Sequence, residues 1–402
     1  MHEPGVLENG LLLKEALQQL EDLGADIVGV NCRLGPAQMV TSLETVPIPN
    51  NAFLAAYPNA SLPAYRDGVL YYENEPSYLE KCAKDLRDQG VRLIGGCCGT
   101  TPEHIKALAN GIRGLEPVKE KKVKQYERIE VLPVSTRKDK TLPELAKERH
   151  TIIVELDAPK HLDITEYMEG AKALKEVGVD AITLADNSLA TPRISNIAIA
   201  TLLKEIGIRP LVHLTCRDRN LIGLQSHLMG LHTLGIHEIL AITGDPTKIG
   251  DFPGATSVFD VNSFKLIELI KKGNKGISFS GNSLRQKTSF SVAAAFNPNV
   301  ANVQKAVKRL ERKIESGADY ILTQPIYSKE KFVELKEATK HIDVPIFVGI
   351  MPLTSTKNAE FLHNEVPGIK LTDEVRARMR AVAGNRELST KESIAISKEL
   401  ID

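Results

Sequence analysis

The chain has 402 residues, 42% hydrophobic and 25% charged, enough to bury one large core or two smaller ones, and two domains is the better expectation. Lysine plus arginine balances aspartate plus glutamate at 51 each, so nothing points to nucleic acid or an anionic membrane, and small neutral or anionic metabolites are the expected ligands. No stretch approaches the roughly 20 apolar residues that cross a bilayer, the start lacks signal-peptide character, and five cysteines are too few and uneven for a disulfide framework, which makes the cytoplasm the default compartment.

Along the chain a unit recurs in which a helical stretch ends at glycine and a β-branched run follows. Four copies stand out: Gly24 to Val30, Gly178 to Leu184, Gly235 to Ala241 and Gly317 to Thr323. Glycine supplies the left-handed helix cap, and an unbroken Val/Ile/Leu run suits a strand covered on both faces, which is the pattern of βα units around a parallel sheet. The first part predicts three strands, near 26–31, 52–57 and 91–95. Glu116 to Arg149, rich in Lys, Arg and Glu and broken by Pro117, Pro133 and Pro143, reads as a solvated connector. The second part predicts seven strands, near 152–157, 181–185, 210–216, 238–243, 290–295, 320–324 and 345–350. Asp163 and Glu166 are a candidate capping pair ahead of Met168, Ala171 and Leu174. Val303, Ala306, Val307, Leu310 and Ile314 form one apolar helical stripe. Eight strands close a βα barrel, so three and seven imply either a fragment cut at both ends or an open sheet of another class.

Cys97 and Cys98 sit in Ile94-Gly95-Gly96-Cys97-Cys98-Gly99-Thr100, where a strand runs into a glycine-rich turn, and Cys32 ends another strand in Val30-Asn31-Cys32. The C-terminal ends of parallel barrel strands share one face, so three sulfurs can converge there and leave a tetrahedral zinc with one open position. A thiol bound at that position would lose its proton and become nucleophilic. Burial as small apolar residues suffices for Cys82 and Cys216.

The Gly-Gly-Cys-Cys-Gly-Thr run with its upstream Gly-Val-Asn-Cys resembles the zinc site of the homocysteine S-methyltransferases. The likeness covers about the last third of such a domain and implies Cys32, Cys97 and Cys98 as metal ligands.

From Thr151 onward, polar residues recur near the candidate strand ends: Glu155, Thr183, Asp186, His213, Thr243-Gly244-Asp245 and Gln324. One such residue is ordinarily a solvated or core position. Their recurrence implies a lined cavity at one barrel mouth. A carboxyl such as Glu155 among apolar neighbours should keep its proton toward neutral pH and could serve as an acid.

Val-Glu-Leu-Asp-Ala-Pro, His-Leu-Thr-Cys-Arg-Asp, Ile-Thr-Gly-Asp, Gly-Ala-Asp-Tyr-Ile-Leu-Thr-Gln-Pro and Gly349-Ile-Met-Pro352, in this order and spacing, resemble methylenetetrahydrofolate reductase over nearly all of 141–390. The resemblance implies an α/β chain: a (β/α)8-barrel reductase domain lacking its last strand at 141–402, a charged linker at 116–140, and a partial barrel of about three βα units at 1–115. It implies Glu155 as the general acid that opens the imidazolidine ring of methylenetetrahydrofolate, and Asp245 beside the pterin and flavin. Thr183, Asp186, His213, Thr243, Gly244, Arg312 and Lys313 would bind FAD, and Gln324 and Asn358 would bind folate. NADH or NADPH would reduce the same flavin, and homocysteine would be the ligand of the thiolate part. Leu362 stands where the family commonly has a stacking aromatic, and the barrel's closing strand should follow a helix near Glu392 to Leu400. Two other readings stand beside this one: a non-catalytic fragment that binds FAD or zinc only, and homocysteine methylation as the main activity. Nicotinamide preference and oligomeric state, a homo-oligomer included, are left open.

Overall fold

The computed structural model describes residues 1–402 apart from 1–4, 8–10, 33–34, 63, 68, 73–74, 126–136, 138 and 367. The chain divides into two compact units, residues 1–131 with 280–285, and residues 132–279 with 286–402.

In the first unit, parallel strands β1 (Ile27–Asn31), β2 (Phe53–Tyr57) and β5 (Val91–Ile94) form a sheet with β2 in the centre, while β3 (Ala64–Arg66) and β4 (Val69–Tyr71) form a small antiparallel hairpin. Helices α1 (Leu13–Asp22), α2 (Pro36–Leu43), α3 (Pro76–Asp88) and α4 (Pro102–Ile112) connect them. Leu13, Leu17, Met39, Leu43 and Leu86 from the helices close on Val28, Leu54, Ala56 and Val91 from the strands. The three predicted strands are present. The hairpin escaped prediction because three-residue strands carry too little alternation to read.

The second unit holds seven parallel strands paired in sequence order: β6 (Ile153–Glu155), β7 (Ala181–Leu184), β8 (Pro210–Thr215), β9 (Glu238–Ile242), β10 (Ser291–Phe296), β11 (Tyr320–Pro325) and β12 (Ile346–Gly349). The sheet curls into an incomplete (β/α)8 barrel whose outer strands, among the described residues, are β6 and β12. Side chains alternate between two cores, as the two-residue period of a strand requires. Ile182, Leu184, Val212, Leu214, Ile239, Val292 and Ile321 face outward into a large cluster shared with the helices. Ile153, Ala181, Leu211, Leu240, Ala293, Tyr320 and Phe347, one from each strand, make the inner layer.

The helices are α5 (Leu142–Glu148), α6 (Thr165–Glu176), α7 (Asn196–Glu205), α8 (Leu221–Thr233), α9 (Ser263–Asn274), α10 (Val303–Glu315), α11 (Lys329–Thr339), α12 (Thr356–Glu365), α13 (Asp373–Ala381) and α14 (Arg386–Ile401). The stripe of α10 packs inward as its spacing predicts. Asp163 departs from expectation: its carboxylate accepts from the amide and hydroxyl of Thr165, at 2.9 and 2.6 Å, rather than pairing with Glu166.

The expectation that Glu116 to Arg149 is a solvated connector needs correction. Residues 142–148 of that stretch form α5, capped by Thr141 and Glu144. Leu142 is fully buried in the inner layer, and its amide donates to Glu238 at the start of β9 across 3.2 Å. Arg137, which falls within the expected linker, pairs with the same carboxylate, and the Tyr320 hydroxyl donates to it at 3.1 Å. Charge and proline content report solvation, and they conceal one buried leucine. Residues 126–136 and 138 of the expected linker lie outside the described residues.

Candidate functional site

The thiolate cluster follows from strand pairing. The parallel ladder runs on past the strand ends: the Cys32 amide donates to the Tyr57 carbonyl and the Cys97 amide to the Pro58 carbonyl, each at 2.9 Å. Both cysteines thereby flank the end of the central strand β2. The three sulfurs of Cys32, Cys97 and Cys98 lie within 4.8 Å of one another, with 3.5 Å between Cys32 and Cys98 and 3.9 Å between Cys97 and Cys98. Four sulfurs about 2.3 Å from a tetrahedral zinc would be separated by about 3.8 Å, so the donor set fits a metal of this kind. Gly99, at φ +77°, closes the turn, and a Cβ there would lie 2.3 Å from Cβ of Tyr72, so only glycine lets Tyr72 pack beside the cysteines. Cys82 and Cys216 are both buried away from any such cluster, and burial pushes the Cys216 thiol up to about 12.

In the second unit, alternation brings Glu155, Thr183 and His213 onto the inner row near the C-terminal ends of β6, β7 and β8, with Glu155 in register with Thr183. The Thr183 hydroxyl lies 2.7 Å from Nε2 of His213. Burial holds the His213 imidazole down to about 4, with Asp186 opposing, so the ring is neutral at physiological pH. Glu155 is open to water at the strand ends but ringed by protein on most sides. That desolvation raises its carboxyl to about 7, with Asp157 adding to the shift and Arg193 opposing it.

Asp186 is buried and fully engaged: it accepts from the Thr215 amide and hydroxyl at 2.9 and 3.0 Å and pairs with Arg219 at 2.7 Å. It therefore ties β7 to β8 at the rim. Asp245 is exposed, and its carboxylate accepts from the Leu189 amide at 3.1 Å. Gly244, at φ +89°, lets the loop after β9 turn; a Cβ there would come 3.1 Å from Cβ of Thr215 and 3.3 Å from Cβ of Arg217. Thr243 lines a cleft of about 460 Å³ together with Phe259, Asp260, Val261, Asn262 and Lys265.

Arg312 and Lys313 diverge on α10. The Arg312 guanidinium stacks over the ring of Phe264 at 4.8 Å, whereas Lys313 reaches back to the Ala295 carbonyl at 2.6 Å, and burial lowers its ammonium to about 8. Gln324 is exposed near the end of β11. The Asn358 side chain accepts from the Thr354 amide at 3.1 Å. Leu362 is buried in an apolar cluster with Tyr327, Leu353 and Met379.

The family model described as Methylenetetrahydrofolate reductase matches residues 140–402, and that described as Homocysteine S-methyltransferase matches residues 2–112. The chain belongs to the methylenetetrahydrofolate reductase family. It is a fused chain, with part of the homocysteine S-methyltransferase family ahead of the reductase-family unit. The first part is 36% identical over 109 residues to methionine synthase of Mycobacterium leprae and 34% identical over 113 residues to methionine synthase of Mycobacterium tuberculosis. These matches cover 27% and 28% of this chain but only 9% and 10% of those enzymes. A solved structure of an uncharacterised protein from Clostridium thermocellum that binds two copies of 5-methyl-5,6,7,8-tetrahydrofolic acid aligns with 64% of this chain and 85% of its own, at 17% identity and TM-score 0.41.

Sequence reasoning missed several residues that build the mouth of the reductase-family unit. Arg217 is 1% exposed and donates to the Asp186, Asn187 and Asp245 carbonyls at 3.3, 2.9 and 3.3 Å, joining the loops after β7 and β9. Its charge is balanced by Asp218, at 2.6 Å. Both lie inside the quoted His-Leu-Thr-Cys-Arg-Asp motif, so a signal was present. Asn196, which donates to the His213 carbonyl at 2.9 Å, and Arg193, paired with Asp157 at 2.8 Å, gave none, because a polar residue at a helix start reads as a cap.

Proposed function

We propose that this chain reduces 5,10-methylenetetrahydrofolate to 5-methyltetrahydrofolate with NAD(P)H through bound FAD, its reductase domain running over 141–402. The observation that carries the reading is the inner row at the barrel mouth, where Glu155 keeps a proton toward pH 7 beside the neutral pair Thr183 and His213. FAD, when bound, supplies hydride transfer and takes its electrons from the nicotinamide. The cleft of about 460 Å³ beside Thr243 supports the reading by offering space next to the loop that carries Asp245.

The chain's own groups divide the remaining work. Glu155 donates its proton to a folate ring nitrogen, which opens the imidazolidine ring and creates the electrophilic carbon. The exposed Asp245 carboxylate faces developing positive charge and stabilises it. Thr183 and His213 offer uncharged polar contacts to a ring system, Asp186 braces the rim, Arg312 and Lys313 supply positive charge for a diphosphate, and Gln324 and Asn358 lie toward the folate. In the methyltransferase-family part, at 1–115, Cys32, Cys97 and Cys98 would hold zinc, whose role would be to bind the homocysteine thiol as thiolate.

Purified protein supplied with FAD should show flavin absorbance that NADH or NADPH bleaches anaerobically and methylenetetrahydrofolate restores. Protein that stays colourless in excess FAD overturns the redox reading.

A further inference from the structure

Asp157 and Arg193 stand out at the barrel mouth as a charged pair to which the reading above gives no role. Glu155 and Asp157 are two residues apart at the end of β6, and the intervening Leu156 packs into the outer core, so the two carboxylates share the inner side. Arg193 reaches them from the loop before α7. It is unusually fixed for an arginine: Nη2 pairs with Asp157 at 2.8 Å, Nη1 donates to the Ala158 carbonyl at 2.8 Å, Nε to the Ser188 hydroxyl at 3.2 Å, and its backbone amide to Asn187 at 3.1 Å. Its side chain is only 16% exposed. A guanidinium held by three partners, on a backbone anchored by a fourth, acts as a stationary charge.

We propose that Asp157 and Arg193 are a positioning pair that sets the proton affinity of Glu155 without touching the reacting atoms. This rests on the reading of Glu155 as the proton donor. The charges acting on Glu155 are those of Asp157, two residues past the end of its strand, and of Arg193, which opposes it. The other neighbours bring none: Thr183 on β7 is uncharged, His213 on β8 is neutral above about pH 4, and Tyr167 on α6, buried and facing Asp157, is held protonated by burial and by that carboxylate. Desolvation raises the Glu155 carboxyl most; Asp157 adds to that rise and Arg193 opposes it, so the pair trims the level that burial sets.

The test is a double-mutant cycle on the full chain, reading Glu155 directly by carbon NMR of protein labelled at the glutamate carboxyl, with the resonance assigned by Glu155→Gln. Arg193→Gln should raise the Glu155 midpoint by roughly half to one pH unit, and Asp157→Asn should lower it by a similar amount. The double variant should return between them, and Arg193→Lys, which keeps the charge, should stay near wild type. An unchanged midpoint in all four variants, or single changes that shift it in the same direction, overturns the proposal. The pH profile of flavin reoxidation by folate separates the two claims. If the midpoint moves as expected while that profile does not follow, the pair tunes Glu155 but Glu155 is not the proton donor.

Discussion

The hydroxyl of Thr183 and Nε2 of His213, on adjacent strands of the barrel, lie 2.7 Å apart in an interior that leaves His213 8% exposed. Burial costs the ring its ordinary basicity: desolvation outweighs the opposing charge of Asp186 and favours the neutral imidazole down to about pH 4. A pH-dependent stability follows. Between about pH 6.5 and 4 the unfolded chain binds a proton that folded His213 refuses, so its contribution to stability is present at neutral pH and is lost on acidification. His227 and His237, also held at about 4 by burial, act in the same direction. Glu155 has the opposite sign: its raised carboxyl stabilises the fold below about pH 4.5 and that contribution is lost as pH rises through about 7. Denaturant titrations at pH 7, 6 and 5 should therefore show falling stability in wild type and a shallower fall in His213→Gln. An equally steep fall in the variant would mean that His213 titrates normally.

Removing the carboxyl proton of Glu155 separates the two halves of the proposed cycle. Glu155→Gln keeps the size of the side chain but cannot release a proton, so reoxidation of reduced flavin by methylenetetrahydrofolate should slow by roughly a hundredfold or more. Reduction of the flavin by NAD(P)H needs no such proton and should change little. Stopped-flow absorbance resolves the two steps, and equal slowing of both would point to a damaged binding site.

What the sequence disclosed about this fold was its periodic part. Gly178 and Gly317 stand at φ +84° and +111° after α6 and α10, as a helix-ending glycine should, and the apolar runs behind them are buried strands. Glu155, Thr183 and His213 were legible because polar residues interrupt those runs at matching positions. Residues whose role depends on a distant partner were not legible. Nothing near Arg193 announces Asp157, thirty-odd positions earlier, and nothing in a proline-interrupted basic stretch announces that Arg137 and Leu142 meet at Glu238.

For the thiolate cluster, the decisive quantity is metal content rather than turnover. Three sulfurs within 4.8 Å should hold about one zinc per chain, and cobalt in its place should give the charge-transfer bands of thiolate ligation. Cys98→Ser, removing the sulfur that lies within 4 Å of both others, should weaken binding at least about tenfold in chelator competition and dim those bands. Cys82→Ser, far from the cluster in the packing of α3, should leave both unchanged. Zinc retained with wild-type affinity in Cys98→Ser would remove that cysteine from the ligand set.

At the opposite end of the barrel, the buried Glu238 carboxylate tests whether Arg137 belongs to the folded domain or to a connector. Glu238 is 1% exposed and is satisfied by Arg137, by the Tyr320 hydroxyl and by the Leu142 amide. Deleting the cation leaves a charge in an interior that solvates it poorly, which typically costs about 3–5 kcal/mol, whereas loss of a surface pair costs about 1 kcal/mol or less. Arg137→Met should therefore destabilise the domain strongly. Arg137→Met with Glu238→Gln should recover much of the loss, because a neutral amide does not need the partner. Leu142→Ala should cost a further 2–5 kcal/mol, roughly, by opening a cavity in the inner layer. If Arg137→Met unfolds no more easily than wild type in urea, the residue is a solvated tether and the closed floor of the barrel begins only at Thr141.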